Sequence, residues 1–96
     1  MRIIAGPCQH ESLHQSMVIA RECKRVCDKH NIEYIFKASY DKANRTSLKG
    51  KRGIGLDKTL KDFKMIKHQL GCKTLTDVHD TYQVQYLMDG YSDAID

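Results

Sequence analysis

No two cysteines in this 96-residue chain are spaced as C-x-x-C. No apolar run approaches the length of a membrane span. Met1 leads directly into a strand-like run, without the apolar stretch of a secretory leader. There is no G-x-G-x-x-G fingerprint after a strand and no Walker loop. Internal repeats, low-complexity tracts and linkers are missing as well, and the length allows one domain at most. These absences predict a cytosolic protein with no membrane partner. Cys23, Cys27 and Cys72 then read as small buried hydrophobes of a reducing compartment.

What is present is ordinary for a globular chain: 41% hydrophobic and 29% charged residues. Lys and Arg outnumber Asp and Glu 16 to 12, a formal net charge of +4. That balance suits small anionic ligands as well as nucleic acid, so pattern has to decide. A nucleic-acid reading would rest on Lys49, Lys51, Arg52, Lys58, Lys61 and Lys64, but aromatic interleaving and any recognised module are lacking.

Arg2-Ile3-Ile4-Ala5-Gly6 reads as a short buried strand stopped by Gly6-Pro7. Ser12 and Gln15 make a capping box. Leu13, Met17, Ala20, Cys23 and Cys27 then recur at helical spacing, which predicts a helix over 13–29 with Asn31 as its left-handed stop. Residues 33–38 read as a second strand and 39–55 as a polar loop. Asp57 is placed to cap a second helix with Leu60, Phe63, Ile66 and Leu70 on one face and Gly71 as terminator. Residues 73–78 read as a third strand. Asp80 with Gln83 opens a short third helix carrying Val84, Leu87 and Met88, and 92–96 reads as the approach to a fourth strand.

This alternation predicts a parallel sheet with helical crossovers, hence an α/β protein. The polar residues gather after the strands: Cys8, then Lys37 to Ser47, then Asp77 and His79. In a closed barrel those places share one rim, where chemistry is found. An open flavodoxin-like sheet also gathers function there, but would carry a glycine-rich or acidic first turn where this chain has Gly6-Pro7-Cys8. The densest cluster is Phe36-Lys37-Ala38-Ser39-Tyr40-Asp41-Lys42-Ala43-Asn44-Arg45-Thr46-Ser47. Its three cations, interleaved with hydroxyls and an amide, suit a ligand with two phosphates or with a phosphate and a carboxylate. A solvated charged loop is the plainer alternative.

With these residues, the chain resembles the 3-deoxy-D-manno-octulosonate 8-phosphate synthase family along its whole length. The resemblance rests on Ile4-Ala5-Gly6-Pro7-Cys8 with Glu11-Ser12, on the Phe36–Ser47 cluster, on Arg52-Gly53-Ile54-Gly55-Leu56 and on Leu75-Thr76-Asp77-Val78-His79. The related 3-deoxy-7-phosphoheptulonate (DAHP) synthases share the Gly-Pro-Cys and Glu-Ser elements and are the alternative. They carry a Lys-Pro-Arg-Thr-Ser type sequence where this chain has Lys42-Ala43-Asn44-Arg45-Thr46-Ser47. The resemblance implies a TIM (β/α)8 barrel that condenses phosphoenolpyruvate with arabinose 5-phosphate, releases phosphate and serves lipopolysaccharide synthesis. C3 of the enol would attack the pentose aldehyde, water would add at C2, and the hemiketal phosphate would collapse.

Carried over residue by residue, the resemblance makes Lys37 and Lys42 the phosphoenolpyruvate cations and Ser39 a donor to the same substrate. Asn44 would hold the pentose. Arg45, Thr46 and Ser47 would grip its phosphate with a neighbouring subunit's loop, in a homo-oligomer that is a tetramer in the family. Lys42 and Asp77 are the expected catalytic residues, Asp77 orienting the sugar or the water, and His79 is a further candidate on that rim. Cys8 would mark the metal-dependent subclass, as one ligand to zinc, iron or manganese; the alternative is a buried thiol at a strand end. Tight metal sites need three or four ligands, and the family's others come from later strands. His10 and His14 are expected at the surface, with substitute metal ligation beside Cys8 as the alternative. No organic cofactor is implied.

The sequence departs from the family at Thr46, which keeps the hydroxyl, at Ile54, and at Lys49-Gly50-Lys51. A complete barrel takes about 250 residues. The chain is therefore expected to be an incomplete N-terminal portion of a barrel, 1–96, with three βα units and the start of a fourth strand, and inactive alone. Two other readings remain: an aldolase using Lys37 or Lys42 as a Schiff base, and a non-catalytic fragment that pairs with full-length subunits.

Overall fold

The computed structural model describes residues 1–40, 51–90 and 92–96, and of 51–54 the backbone alone. Among the described residues three strands, β1 (Arg2–Ala5), β2 (Glu33–Lys37) and β3 (Lys73–Leu75), alternate with three helices, α1 (Leu13–Lys29), α2 (Lys51–Leu70) and α3 (Thr81–Gly90). The strands form one sheet in the order β1-β2-β3. Both pairings are parallel, with Ala5 beside Phe36 and Lys37 beside Leu75.

Local chemistry sets the helix bounds. At α1, Ser12 Oγ accepts from the Gln15 N–H at 3.1 Å. Asn31 ends the helix at φ 57°, and Gly71 ends α2 at φ 67°. Asp80 caps α3 by accepting from the Gln83 N–H at 2.8 Å, while Gln83 Oε1 accepts from the His79 N–H at 2.6 Å. That reciprocal pair is a capping box displaced by one residue.

Tyr34 and Phe36 point to the helical side of the sheet. They build a core with Met17, Ala20, Cys27, Phe63, Ile66 and Cys72. Phe36 and Phe63 meet edge to face at 5.2 Å, an arrangement worth about 0.5–1.5 kcal/mol beyond area burial. A second cluster joins Tyr40, Leu56 and Leu60 to Leu87 and Ala94. Burial raises the pKa of the Tyr34 phenol and of the Cys72 thiol.

Several elements differ from the sequence expectation. β1 is not a buried strand: Ile3 is 38% and Ile4 54% exposed; among the described residues it pairs with β2 alone, and Ile4 lies on the sheet face opposite the helices. α2 begins at Lys51 rather than at Asp57. Asp57 lies inside the helix, where its carboxylate accepts from the Tyr86 hydroxyl. β3 stops at Leu75, and Thr76 Oγ1 then donates to the Ala38 carbonyl at 2.9 Å, so a side chain replaces the next rung of the ladder. In α3 Leu87 is buried, while Val84 and Met88 are exposed along an apolar cleft shared with Val78 and Ile95.

Residues 92–94 form a turn, and no strand follows it among the described residues. The tail nevertheless lies along β3. The Asp96 N–H donates to the Thr74 carbonyl at 2.8 Å, and the Thr74 N–H donates to Asp96 Oδ2 at 2.9 Å. Lys64–Asp93 and Lys67–Asp96 ion pairs tie α2 to the same tail.

Candidate functional site

The carboxyl ends of three parallel strands deliver Cys8, Lys37, Ser39 and Asp77 to one end of the sheet. The loop after β1 is stitched to the end of β2. The Ser39 N–H donates to the Cys8 carbonyl at 3.3 Å, and the His10 N–H donates to the Ser39 carbonyl at 2.8 Å. Gln9 and Ser39 form an isolated parallel bridge between these two bonds. Cys8 is exposed, which overturns the buried-thiol alternative. A small cleft lined by Gly6, Pro7, Cys8, Lys37 and Ser39 opens beside it.

Gly6 makes this approach possible. A Cβ at that position would lie 2.0 Å from the Lys37 carbonyl oxygen, so only glycine lets the first loop meet the end of β2. Lys37 is exposed and forms no ion pair among the described residues. It occupies the same sheet face as Ile4, Ile35 and Leu75, opposite the helices. An ammonium placed there is available for an anionic ligand.

Asp77 adds a polar group on the β3 side. Its Oδ2 lies 3.7 Å from His79 Nε2. Its Oδ1 is buried and has no hydrogen-bond partner among the described residues. A buried acceptor left in that condition costs about 1–3 kcal/mol, and a catalytic or ligand-facing role is one physical account of it.

The structure therefore brings together Cys8, Lys37, Ser39, Asp77 and His79. Lys42, Asn44, Arg45, Thr46 and Ser47 lie outside the described residues. No group of three or more His, Cys, Asp or Glu able to hold a metal occurs among the described residues. Cys8 supplies one donor at most, so these residues do not by themselves fit a bound divalent ion.

His14 is exposed as expected, but His10 is not a surface residue. Its ring is buried, with Nδ1 2.7 Å from Ser16 Oγ and Nε2 2.8 Å from Asp62 Oδ2. The His10 and Phe63 ring centroids lie 5.6 Å apart with the planes near perpendicular. Lys58 Nζ stands 3.7 Å from the same Asp62 oxygen. The available signal was two polar residues at core positions of helical periodicity, Ser16 beside Met17 and Asp62 beside Phe63. A polar side chain on a buried face needs a polar partner.

The model of the DAHP synthetase I family matches residues 1–95. The chain belongs to that family. Within it, the sequence is 47% identical over 83 residues to the 2-dehydro-3-deoxyphosphooctonate aldolase of Rhizobium meliloti, covering 86% of this chain and 30% of the relative. It is 44% identical over 87 residues to the protein of that name from Helicobacter hepaticus, covering 91% and 32%. With the Dechloromonas aromatica protein of the same name, identity is 51% over 77 residues, covering 80% and 28%. The chain thus spans about 30% of the length of these curated relatives. No helix among the described residues is long and apolar enough to cross a membrane.

Proposed function

We propose that this chain forms the first three βα units of a (β/α)8 barrel that condenses phosphoenolpyruvate with arabinose 5-phosphate. The reading rests on one observation above all: Lys37, Ser39 and Asp77 converge at the carboxyl end of three parallel strands in a member of this family. Phosphoenolpyruvate holds a carboxylate and a phosphate close together. Lys37, joined by Lys42, offsets that repulsion and stabilises negative charge that develops as C3 attacks the aldehyde. Ser39 donates to the same substrate. Asn44 holds the pentose, and Arg45, Thr46 and Ser47 take its phosphate, Arg45 with a fork that matches two oxygens. Asp77, with His79 beside it, orients the sugar or the attacking water through its unpartnered oxygen. Cys8 enters as one soft donor to a divalent ion whose other donors lie outside the described residues. The relatives' names support an octulosonate product over a heptulosonate one, and the working form is a homo-oligomer in the cytoplasm.

The test is a chimaera in which residues 1–96 replace the matching segment of the Rhizobium meliloti relative. Phosphate release that requires both phosphoenolpyruvate and arabinose 5-phosphate is expected. A folded chimaera that binds neither substrate by calorimetry would overturn the reading. The 96-residue chain alone is expected to release no phosphate.

A further inference from the structure

Three buried side chains behind the rim form a network that the proposed chemistry does not use. His10 joins Ser16 of α1 to Asp62 of α2 through its two ring nitrogens, at 2.7 and 2.8 Å. The connectivity is that of a Ser-His-Asp triad, but Ser16 is fully buried and has no access to any substrate. A nucleophile must reach its electrophile, so hydrolytic chemistry is excluded here.

The contacts indicate a different role. Asp62 accepts from Nε2–H, which in the neutral ring leaves Nδ1 to accept from the Ser16 hydroxyl. Each bond has a direction, so together they select one orientation of the ring. Phe63 closes on the ring edgewise, and Lys58 balances the Asp62 carboxylate from the solvent side. The backbone of the same residue, His10, donates to the Ser39 carbonyl, and Ser39 in turn donates to the Cys8 carbonyl. One residue therefore couples two helices to the strand end that carries the candidate site. An apolar pair would fill the same space at less desolvation cost, but without a preferred direction.

We propose that the His10–Ser16–Asp62 network is a positioning device that fixes the loop after β1 and, through it, the places of Cys8 and Ser39. Its relevance to catalysis rests on the function proposed above, whereas the positioning itself does not.

The test reads the loop directly. Alkylation of each cysteine by iodoacetamide is followed by mass spectrometry in the full chain, with buried Cys27 and Cys72 as internal controls. In His10→Leu/Asp62→Leu the added apolar volume offsets most of the lost network, so the fold is expected to hold with the denaturation midpoint lowered only by the unpartnered Ser16 hydroxyl. Cys8 alkylation should change about tenfold while the control cysteines stay protected. Asp62→Asn keeps an oxygen acceptor for Nε2–H and should restore Cys8 alkylation to within about twofold of the parent. A folded double variant whose Cys8 reacts at the parent rate overturns the proposal. Should the double variant not fold, Ser16→Ala decides: a shifted Cys8 rate supports the device and an unchanged rate overturns it. Phosphoenolpyruvate binding by the unaltered chimaera is scored separately. Its absence would remove the functional reading and leave the alkylation result standing.

Discussion

The two ends of the sheet treat charge in opposite ways. At the amino end, Glu33 of β2 accepts from Arg2 of β1 at 2.7 Å and lies 3.4 Å from Lys73 of β3, so one carboxylate joins all three strands. Hydrogen bonds from Arg2 and Lys73 hold its pKa below the usual carboxylate value. At the carboxyl end, Lys37 has no carboxylate partner among the described residues and Asp77 keeps one buried oxygen unpartnered. Charges at the first end are satisfied by the fold, while those at the second are held apart by it. That asymmetry separates an end with paired charges from an end with unpaired ones within five residues of a single strand, from Glu33 to Lys37.

The contrast can be broken from either end. Lys37→Ala should give the largest effect: kcat/KM of the chimaera should fall about 10²- to 10³-fold with the midpoint of unfolding unchanged. An equal loss of stability would place Lys37 with the structural charges. Gly6→Ala should cost about 3 kcal/mol, seen as a lowered denaturation midpoint, since the new methyl meets backbone rather than a movable side chain. Asp77→Ala should move the two readouts in opposite directions, with stability rising by about 1 kcal/mol as a buried unpartnered acceptor disappears and turnover falling.

The smallest effect belongs to the amino end. The Glu33 carboxyl has a depressed pKa in the folded state, so its contribution is fully present above the unfolded value of 4.5 and fades as pH falls through the folded one. Glu33→Gln should lessen the acid-limb slope, measured by urea unfolding at successive pH values, and leave turnover of the chimaera unaltered. A slope unchanged by the substitution would assign the acid sensitivity to Glu22, Asp93 and Asp96, whose pKa values are also lowered.

The parts legible in the sequence were those with local causes. Ser12, Gln15 and Asn31 mark α1 because caps act within a few residues. The apolar spacing of Leu60, Phe63 and Ile66 reported the buried face of α2 for the same reason. The start of α2 was hidden. Gly53 and Gly55 are poor helix formers, and Asp57 resembles a cap. The contacts of Leu56 and Leu60 with Tyr40 and Leu87 come from distant sequence and outweigh those preferences. The exposure of β1 depends on how many neighbours it finds, which no strand pattern states. His10 was misplaced because its partner Asp62 is 52 residues away. At the rim, Cys8, Lys37, Ser39 and Asp77 were legible from the order of elements, since parallel strands bring their carboxyl ends together whatever the loops do.

The double link between Thr74 and Asp96 has a consequence for behaviour in concentrated solution. In a parallel ladder alternate residues turn their peptide groups to opposite sides. β3 has three residues, and the two flanking Thr74 pair inward with β2. Thr74 alone presents an N–H and a carbonyl outward, and Asp96 occupies both. A foreign strand approaching Thr74 finds both of its outward backbone groups already taken by Asp96, which disfavours intermolecular pairing at that residue.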